Sequence, residues 1–193
     1  MSRTILRRTT WAGLVAVGVA AAGGLSPDDA VRRMKVPDGF EVRLVACEPE
    51  IRQPLSMSLD DRGRLWVIQY LQYPNPAGLK PVAVDQFLRT KYDRVPEPPP
   101  RGPKGADRIT ILSEPDATGR FRKSKDFVTG LNLCSGMCLG HGGVFVVQPP
   151  YLLFYADKNR DDIPDADPEV FRLQLLPNPT LVGAPFELIR LVE

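Results

Sequence analysis

The chain has 193 residues, of which 43% are hydrophobic and 25% are charged, and its formal net charge is +2. Because its 25 basic residues are dispersed among 23 acidic ones, the composition gives no reason to expect nucleic acid or an anionic membrane surface as a partner. The length allows one domain with a real hydrophobic core.

The first predicted element is an export signal. Arg3, Arg7 and Arg8 form a positive region, and the uncharged apolar stretch Trp11–Ala22 follows, ending in three alanines that suit a signal peptidase. This stretch is shorter than the roughly 20 apolar residues that span a bilayer. We therefore expect residues 1–24 to contain a cleaved signal peptide and the protein to be periplasmic or secreted, with an N-terminal membrane anchor as the alternative. Removal of this segment lowers the net charge from +2 to −1.

Strand patterns follow a short polar lead-in over residues 25–36. The segments Phe40–Ala46 and Leu55–Leu59 alternate apolar with other side chains, which is the period of a β-strand. After a turn at Asp60–Gly63, the apolar run Leu65–Ile68 is rich in strand-forming residues. The mature chain shows no convincing amphipathic helix before residue 173, so the sequence predicts a β protein.

A Pro-rich segment, 73–105, interrupts this pattern. It holds eight prolines, and proline cannot donate the hydrogen bond that a sheet interior requires. We therefore expect a long surface excursion, which is either functional or structural filler, with one or two helical turns over Val84–Tyr92.

The chain then repeats itself. The strand–turn–strand segment Ser56–Gln69 matches Gly136–Gln148, and Ile111–Val128 matches Phe154–Phe171 at a constant offset of 43 residues. This offset is typical of a four-stranded propeller blade, which has a period of about 40–45 residues. The repeat predicts an all-β, truncated β-propeller of about two four-stranded antiparallel blades, with the Pro-rich segment inserted into the first blade. The alternative is chance similarity between two hairpins.

The predicted partial propeller covers residues 36–172, and residues 173–193 form a divergent tail without the turns of the repeat. A closed propeller has at least four blades and leaves only short strand edges. In a two-bladed chain the inner strands around Leu55–Leu59 and Met137–Leu139 would lack a covering neighbour. We therefore expect self-association through exposed edges.

The acidic loop, Asp157–Asp165, is the best candidate metal site. Asp157, Asn159, Asp161 and Asp165 supply oxygens at positions 1, 3, 5 and 9, a spacing that resembles calcium loops. The Gly and Glu of an EF-hand are missing, so a solvated hairpin turn is the alternative. We expect no cation in the corresponding loop of the first repeat, where Arg122 replaces the last acid.

Other candidate groups are few. His141 is the only histidine and lies in a Gly-rich turn, where we expect a solvated residue and no zinc ligand. Cys47, Cys134 and Cys138 could form one disulfide in an oxidising compartment or remain buried thiols. They do not form the motif that attaches c-type haem.

Five segments carry a resemblance to a known family: Val36–Phe40, Asp61–Val67, Asp107–Leu112, Gly140–Val144 and Pro150–Phe154. Over about residues 36–172 the chain resembles the N-terminal part of the membrane-bound dehydrogenase proteins of planctomycete-type bacteria. Their propeller is similar to that of the soluble glucose and sorbosone dehydrogenases, which use pyrroloquinoline quinone.

The resemblance implies a fragment of a quinone-dependent sugar or alcohol dehydrogenase, with pyrroloquinoline quinone and calcium as cofactors. The chain departs from that family because the later blades, the His-rich segment and the helical-repeat and haem domains are not in it. No catalytic or quinone-binding role can be assigned to a numbered residue, so we expect the fragment to be inactive alone. The alternative is a non-catalytic exported binding or interaction module, since a propeller serves many functions.

Overall fold

The computed structural model describes residues 24–176 and 188–192, so the predicted signal peptide lies almost wholly outside the described residues. The elements in chain order are α1 (Pro27–Arg33), β1 (Pro54–Leu59), β2 (Leu65–Gln69), β3 (Pro81–Val84), β4 (Thr90–Tyr92), β5 (Asp107–Pro115), β6 (Phe121–Leu131), β7 (Gly136–Gly140), β8 (Gly143–Gln148), β9 (Tyr151–Ala156), β10 (Glu169–Leu176) and β11 (Leu188–Val192).

The strands form two antiparallel blades and a separate hairpin. The first blade has the order β1-β2-β5-β6, and the second has the order β7-β8-β9-β10 with β11 added at its edge. Neither sheet of the described residues closes on itself. The prediction of an all-β, partial propeller-like fold is confirmed.

The strands of the two blades pair in the same register. In the first blade Trp66 pairs with Ile111, and in the second Phe145 pairs with Phe154, as the offsets of the sequence repeat require. The pairs between the third and fourth strands, β5–β6 in the first blade and β9–β10 in the second, also match as far as Ile109. Beyond Ile109, a bulge in the first blade shifts the pairs of β5 and β6 by one residue relative to those of β9 and β10. The sequence repeat is therefore a structural repeat.

The main core lies between the two blades. The rings of Trp66 and Phe127 meet edge to face at 5.0 Å, and Phe127 contacts Tyr155 of the second blade at 6.5 Å. Its buried members are Trp66, Ile68, Ile109, Ile111, Phe127, Leu131, Cys134, Val144, Val146, Tyr151, Leu153 and Tyr155. Burying apolar area of this kind contributes roughly 25 cal/mol per Å². Packing of one blade on the other thus buries the larger of the two apolar clusters of the described residues.

The Pro-rich insertion lies between β2 and β5 and carries the hairpin β3–β4, which joins neither blade. The predicted helical turns over Val84–Tyr92 are wrong. Asp85 caps a tight turn there, because its Oδ1 accepts hydrogen bonds from the backbone N–H groups of Phe87 and Arg89 at 2.8 and 3.0 Å. Leu88 takes the left-handed conformation that closes the hairpin, with φ of 61°.

The predicted strand Phe40–Ala46 is also wrong, since this segment has no regular secondary structure. The burial of its side chains does alternate, and Ala46 packs with Ile51 on the outer face of the first blade. One tie to that blade is the hydrogen bond from the N–H of Phe121 to the carbonyl oxygen of Val45, 2.9 Å long. An extended segment forms no ladder without a partner strand alongside it.

The lead-in contains a helix, α1, that the sequence analysis missed. Its signals are local: Ser26 caps the N–H of Asp29 at 3.1 Å, a proline takes the first position, and acidic and basic residues occupy the first and last turns. Within residues 24–176 and 188–192, no helix has the length and apolar character that a membrane crossing requires.

Candidate functional site

The two ends of the blades differ in chemistry. At one end lie the β1–β2 and β7–β8 turns and the acidic loop, Asp157–Asp165, which follows β9. At the opposite end β8 turns into β9, the chain passes from the first blade to the second, and the Pro-rich insertion leaves and returns.

The acidic loop turns most of its oxygens onto its own backbone. Asp157 is buried and accepts hydrogen bonds from the N–H groups of Asp161 and Asp162 at 3.1 and 3.2 Å. Asp161 accepts from the N–H of Ile163 at 2.9 Å, and Asp165 accepts from that of Lys158 at 3.0 Å. Asn159 shares a further hydrogen bond with Asp161. The structure thus places the four predicted ligands in one loop, as the caps of successive turns.

No group of three or more His, Cys, Asp or Glu side chains in the described part of the chain is arranged to hold a metal ion. His141, the second residue of interest at this end, is exposed in the two-residue turn between β7 and β8. Its ring lies 6.0 Å from that of Phe154. No hydrogen bond from a described residue orients this imidazole.

The acidic loop also joins the two blades. Arg64, at the end of the β1–β2 turn, donates from Nη1 to both carboxylate oxygens of Asp162, at 2.8 and 2.6 Å, and from Nε to Asp60 at 2.8 Å. A second ion pair links Arg160 to Asp61 across the same gap. Beside these pairs lies a cleft of about 430 Å³ with a mixed polar and apolar lining, between the β1–β2 and β7–β8 turns. Charge pairing at this end therefore reinforces the blade interface.

The ion pairs shift the acid–base behaviour of this end. Burial alone would raise the pKa of Asp60, but hydrogen bonds from the Trp66 indole and from Arg64 outweigh it, so the pKa is lowered. The same two carboxylates, Asp162 and Asp60, raise the pKa of Arg64 against the effect of burial. Asp60 and Arg64 are thus held in their charged forms and bind to each other, which is typical of a structural ion pair.

The corresponding loop of the first repeat is closed by its own residues. Asp116 accepts hydrogen bonds from Thr118 and Arg120 and pairs with Arg122. The hydrogen bond from Thr118 is the largest cause that lowers the pKa of Asp116, to about 2. Arg122 thus occupies the repeat position of Asp165 and pairs with Asp116 inside the loop.

The opposite end of the blades holds the larger cleft, which we call the insertion cleft, with a volume of about 790 Å³. One wall is the insertion and its hairpin, and the other consists of residues that follow β2, β6 and β8. Its lining residues are Tyr70, Pro76, Leu79, Lys91, Tyr92, Arg94, Val95, Pro96, Asn132, Leu133, Ser135, Pro149 and Pro150. The surface is predominantly apolar, and the volume lies within the range of about 300–1,000 Å³ of small-molecule sites.

Polar side chains of the blades fasten the insertion in place. Asn132 accepts from the N–H of Ala77 at 2.9 Å and donates to its carbonyl oxygen at 3.2 Å. The hydroxyl of Tyr151 donates to the carbonyl oxygen of Pro96 at 2.8 Å. Asn132 ties the first arm of the insertion to the link between the two blades, and Tyr151 ties the second arm to the second blade, so the wall of the cleft is held at two points.

The base of the insertion is anchored on a buried carboxylate. Asp107 is fully buried and accepts from the N–H of Gln72 at 2.6 Å and from the N–H of Cys134 at 2.9 Å. Burial and the charge of Asp107 raise the pKa of the Cys134 thiol, so this group is an inert core residue. Burial and, second, Asp107 also raise the pKa of Tyr70, whose phenol stays neutral at physiological pH.

A repeated glutamine completes this end. Gln69 ends β2 and accepts from the N–H of Arg52 at 2.8 Å, and Gln148 ends β8 and accepts from the N–H of Asn132 at 2.8 Å. Both side chains are buried. In each blade, a glutamine at the same repeat position satisfies the backbone of the segment that leads into the blade.

All three cysteines are free thiols in the structure. Cys134 is buried below the insertion cleft, Cys138 is exposed on β7, and Cys47 is half-buried beside Arg120. None of them lines the insertion cleft.

The residues of the insertion cleft were missed by the sequence analysis. They come from four segments separated by up to 80 residues, and none forms a motif. The signal available in the sequence was the position of the Pro-rich insertion between two predicted strands, together with tyrosines at both of its arms. Such a position favours a binding loop held by a rigid scaffold.

Comparison with known proteins gives one match. A family model described as a domain of unknown function, DUF7133, covers residues 26–174. No curated protein and no solved structure matches the chain.

Proposed function

The chain belongs to DUF7133, a family of domains of unknown function, and we propose that it is a ligand-binding module whose site is the insertion cleft. The observation that supports this proposal most directly is the anchoring of the insertion. Asn132, Tyr151 and Asp107 hold the cleft walls with hydrogen bonds of 2.6 to 3.2 Å, although the insertion contributes nothing to either blade. A wall that is fixed in this way presents a pre-formed cavity, which lowers the entropic cost of binding.

The composition of the lining supports an apolar ligand. Four prolines and two tyrosines surround the space, and apolar and aromatic surface is what most small-molecule sites present. Acidic side chains are not among the lining residues in the described part of the chain. Burial of a flat ligand against these groups supplies the affinity, and the few polar groups fix its orientation.

The resemblance to quinone-dependent dehydrogenases makes such an enzyme the second candidate. The fold is of the propeller-like kind that these enzymes use, but the cleft offers two cations, Lys91 and Arg94, to a quinone that carries three carboxylates. One of them, Arg94, is already paired with Asp93. Adding pyrroloquinoline quinone and calcium to the purified chain, with a dye acceptor and a panel of sugars, tests this candidate, and reproducible turnover would support it over the binding module.

Calcium in the acidic loop remains a proposal of its own. The cation would have to replace the backbone N–H groups that now bond to Asp157 and Asp161. A rise in the thermal unfolding temperature with calcium, lost in Asp165→Asn, would support it.

We also propose export and self-association. Export rests on the predicted signal in residues 1–24, and N-terminal sequencing of the protein from the culture medium or periplasm tests it. Self-association rests on edge strand β1, where the exposed fractions of Leu55, Met57 and Leu59 are 47%, 63% and 67%. Sedimentation of Met57→Lys should show a shift toward monomer. The control Val82→Lys, exposed on the insertion hairpin, should leave the distribution unchanged.

The binding proposal is tested with a flat neutral probe. We expect 2-naphthamide to bind the purified chain in calorimetric titration. Ser135→Trp should abolish the binding, because Ser135 lines the cleft and is exposed, so an indole there fills the space. The matched control is Ser124→Trp, an exposed serine on β6 outside the cleft.

Circular dichroism establishes that both variants keep the fold. Equal binding by the two tryptophan variants would show that the probe binds elsewhere, and the proposal would be wrong.

A further inference from the structure

We infer that the insertion cleft selects an aromatic ligand that carries a single negative charge, such as an aromatic monocarboxylate. This inference rests on the proposed binding function and adds the chemical class of the ligand. Some charged and polar groups of the lining already bond to partners within the protein, and the inference rests on the groups that do not.

The lining residues include two cationic side chains, and one of them, Arg94, already has partners within the protein. Arg94 donates from Nη1 to Asp93 at 2.6 Å and from Nη2 to the carbonyl oxygen of Gly78 at 2.5 Å. Asp93 accepts in addition from the N–H of Lys80 at 3.0 Å. The guanidinium therefore holds the hairpin base together, and its charge is balanced locally.

Lys91 has no such partner among residues 24–176 and 188–192. No described carboxylate lies within ion-pair distance of its ammonium group, and the residue is exposed on β4. Among the lining residues, Lys91 thus carries the one positive charge without an ion-pair partner in the described part of the chain, and none of the lining residues is acidic. Charge complementarity of this kind favours a monoanion and disfavours a cation.

Of the two tyrosine hydroxyl groups in the lining, one has a hydrogen-bond partner among the described residues and the other does not. The hydroxyl of Tyr92 donates to Asn75 at 2.9 Å, so it is committed. The hydroxyl of Tyr70 makes no hydrogen bond to a described residue, and its ring lies 5.7 Å from that of Tyr73, tilted by 37°. Because the raised pKa keeps this phenol protonated, it can donate to a carboxylate oxygen.

These groups define the ligand. Tyrosine and proline faces suit a flat ring system, and the volume of about 790 Å³ holds two fused rings with room for water. Lys91 and Tyr70 provide the charge and the donor for one carboxylate. A ligand with several carboxylates would leave charges buried without partners, which is costly.

The experiment compares a charged with a neutral isostere. We expect 2-naphthoate to bind the purified chain about fivefold more tightly than 2-naphthamide, the effect of an ion pair worth about 1 kcal/mol near a surface. Lys91→Gln should remove this preference and leave the affinity for 2-naphthamide unchanged. Lys35→Gln, at an exposed lysine that is not among the lining residues of the cleft, should keep it. The preference should also weaken at high salt.

The outcomes separate the two proposals. If both probes bind with equal affinity and Ser135→Trp blocks them, the cleft is a binding site but the inference on charge is wrong. If Ser135→Trp blocks neither probe, the binding function itself is wrong. If the preference for 2-naphthoate survives Lys91→Gln, the charge that selects the ligand is not Lys91 and the inference is overturned.

Discussion

Replacing Asp107 tests whether one buried carboxylate supports both the core and the insertion cleft. Its side chain has no exposed surface, and it accepts hydrogen bonds from the N–H groups of Gln72 and Cys134 at 2.6 and 2.9 Å. Asp107→Ala removes both acceptors and leaves the N–H of Cys134, which is buried, and that of Gln72, which is partly buried, without their partner. A hydrogen bond to a charged group contributes about 1.5–3 kcal/mol, so we expect a loss of about 3–6 kcal/mol. That is a large share of the roughly 5–15 kcal/mol by which domains are stable.

A graded series measures this effect. Asp107→Asn keeps one oxygen and should lose about half as much, roughly 1.5–3 kcal/mol. Asp38→Ala, at an exposed turn without side-chain hydrogen bonds, is the control and should stay within about 0.5 kcal/mol of the parent. The free energy of unfolding is measured by urea titration and circular dichroism. A loss below about 1 kcal/mol for Asp107→Ala would refute the argument.

A second measurement isolates the charge of Asp107 from its hydrogen bonds. Burial is the largest cause that raises the pKa of Tyr70, and the negative charge of Asp107 is the next. Asp107→Asn removes the charge, which favours ionisation of the phenol, so the pKa of Tyr70 should fall. Spectroscopic titration of tyrosinate absorbance measures this shift, with Tyr70→Phe identifying the signal. An unchanged titration would mean that Asp107 and Tyr70 do not interact as the structure has them.

The remaining predictions concern the end of the blades with the acidic loop. Arg64→Met breaks the ion pairs to Asp60 and to the acidic loop and should cost about 1–3 kcal/mol in urea titration, since the pairs are partly buried. The lowered pKa of Asp60 means that its stabilisation is present above its unfolded pKa and is lost as pH falls through the lower folded value, so Asp60→Asn should flatten the acid limb of the stability curve. Gly143→Ala should cost about 1–3 kcal/mol, because the new Cβ would lie 2.2 Å from the carbonyl oxygen of Tyr155. Gly136→Ala, with open space around its Cβ position, is the matched control in thermal unfolding.

The repeat could be predicted from the sequence because its signals are local. Apolar alternation sets which face each strand buries, and a one-residue slip would expose the whole set, so matched patterns imply a matched register. Pairing of Trp66 with Ile111 and of Phe145 with Phe154 follows from this constraint. The two-residue turn His141–Gly142, with both φ angles positive, follows in the same way from the glycines around it.

Two secondary-structure predictions were wrong because the local sequence pattern does not show which other interactions compete for the same backbone. The residues of Val84–Tyr92 allow a helix, but Asp85 bonds its own backbone two and four residues on and closes a hairpin instead. The segment Phe40–Ala46 has strand periodicity but no strand beside it to complete a ladder. In both cases the outcome depends on a partner, either a side chain or a neighbouring strand, and not on propensity.

The insertion cleft could not be predicted, because its walls meet only after the blades have packed. Ser135 and Pro149 follow two different strands, and Lys91 comes from the hairpin. Their proximity depends on long-range hydrogen bonds such as that from Tyr151 to Pro96, which span 55 residues. Neither spacing nor composition contains that information.

The repeat also indicates that the outer face of the second blade can pack against another sheet. The residues that pack the first blade onto the second, Trp66 and Ile68, have Phe145 and Val147 as their equivalents in the repeat. These equivalents are apolar and lie on the face of the second blade that points away from the core, where both are half-buried. A face with the register and chemistry of a packing surface is suited to receive another sheet. The apolar packing that joins the two blades therefore supports the proposed self-association, with the outer face of the second blade as a contact surface in addition to the exposed strand β1.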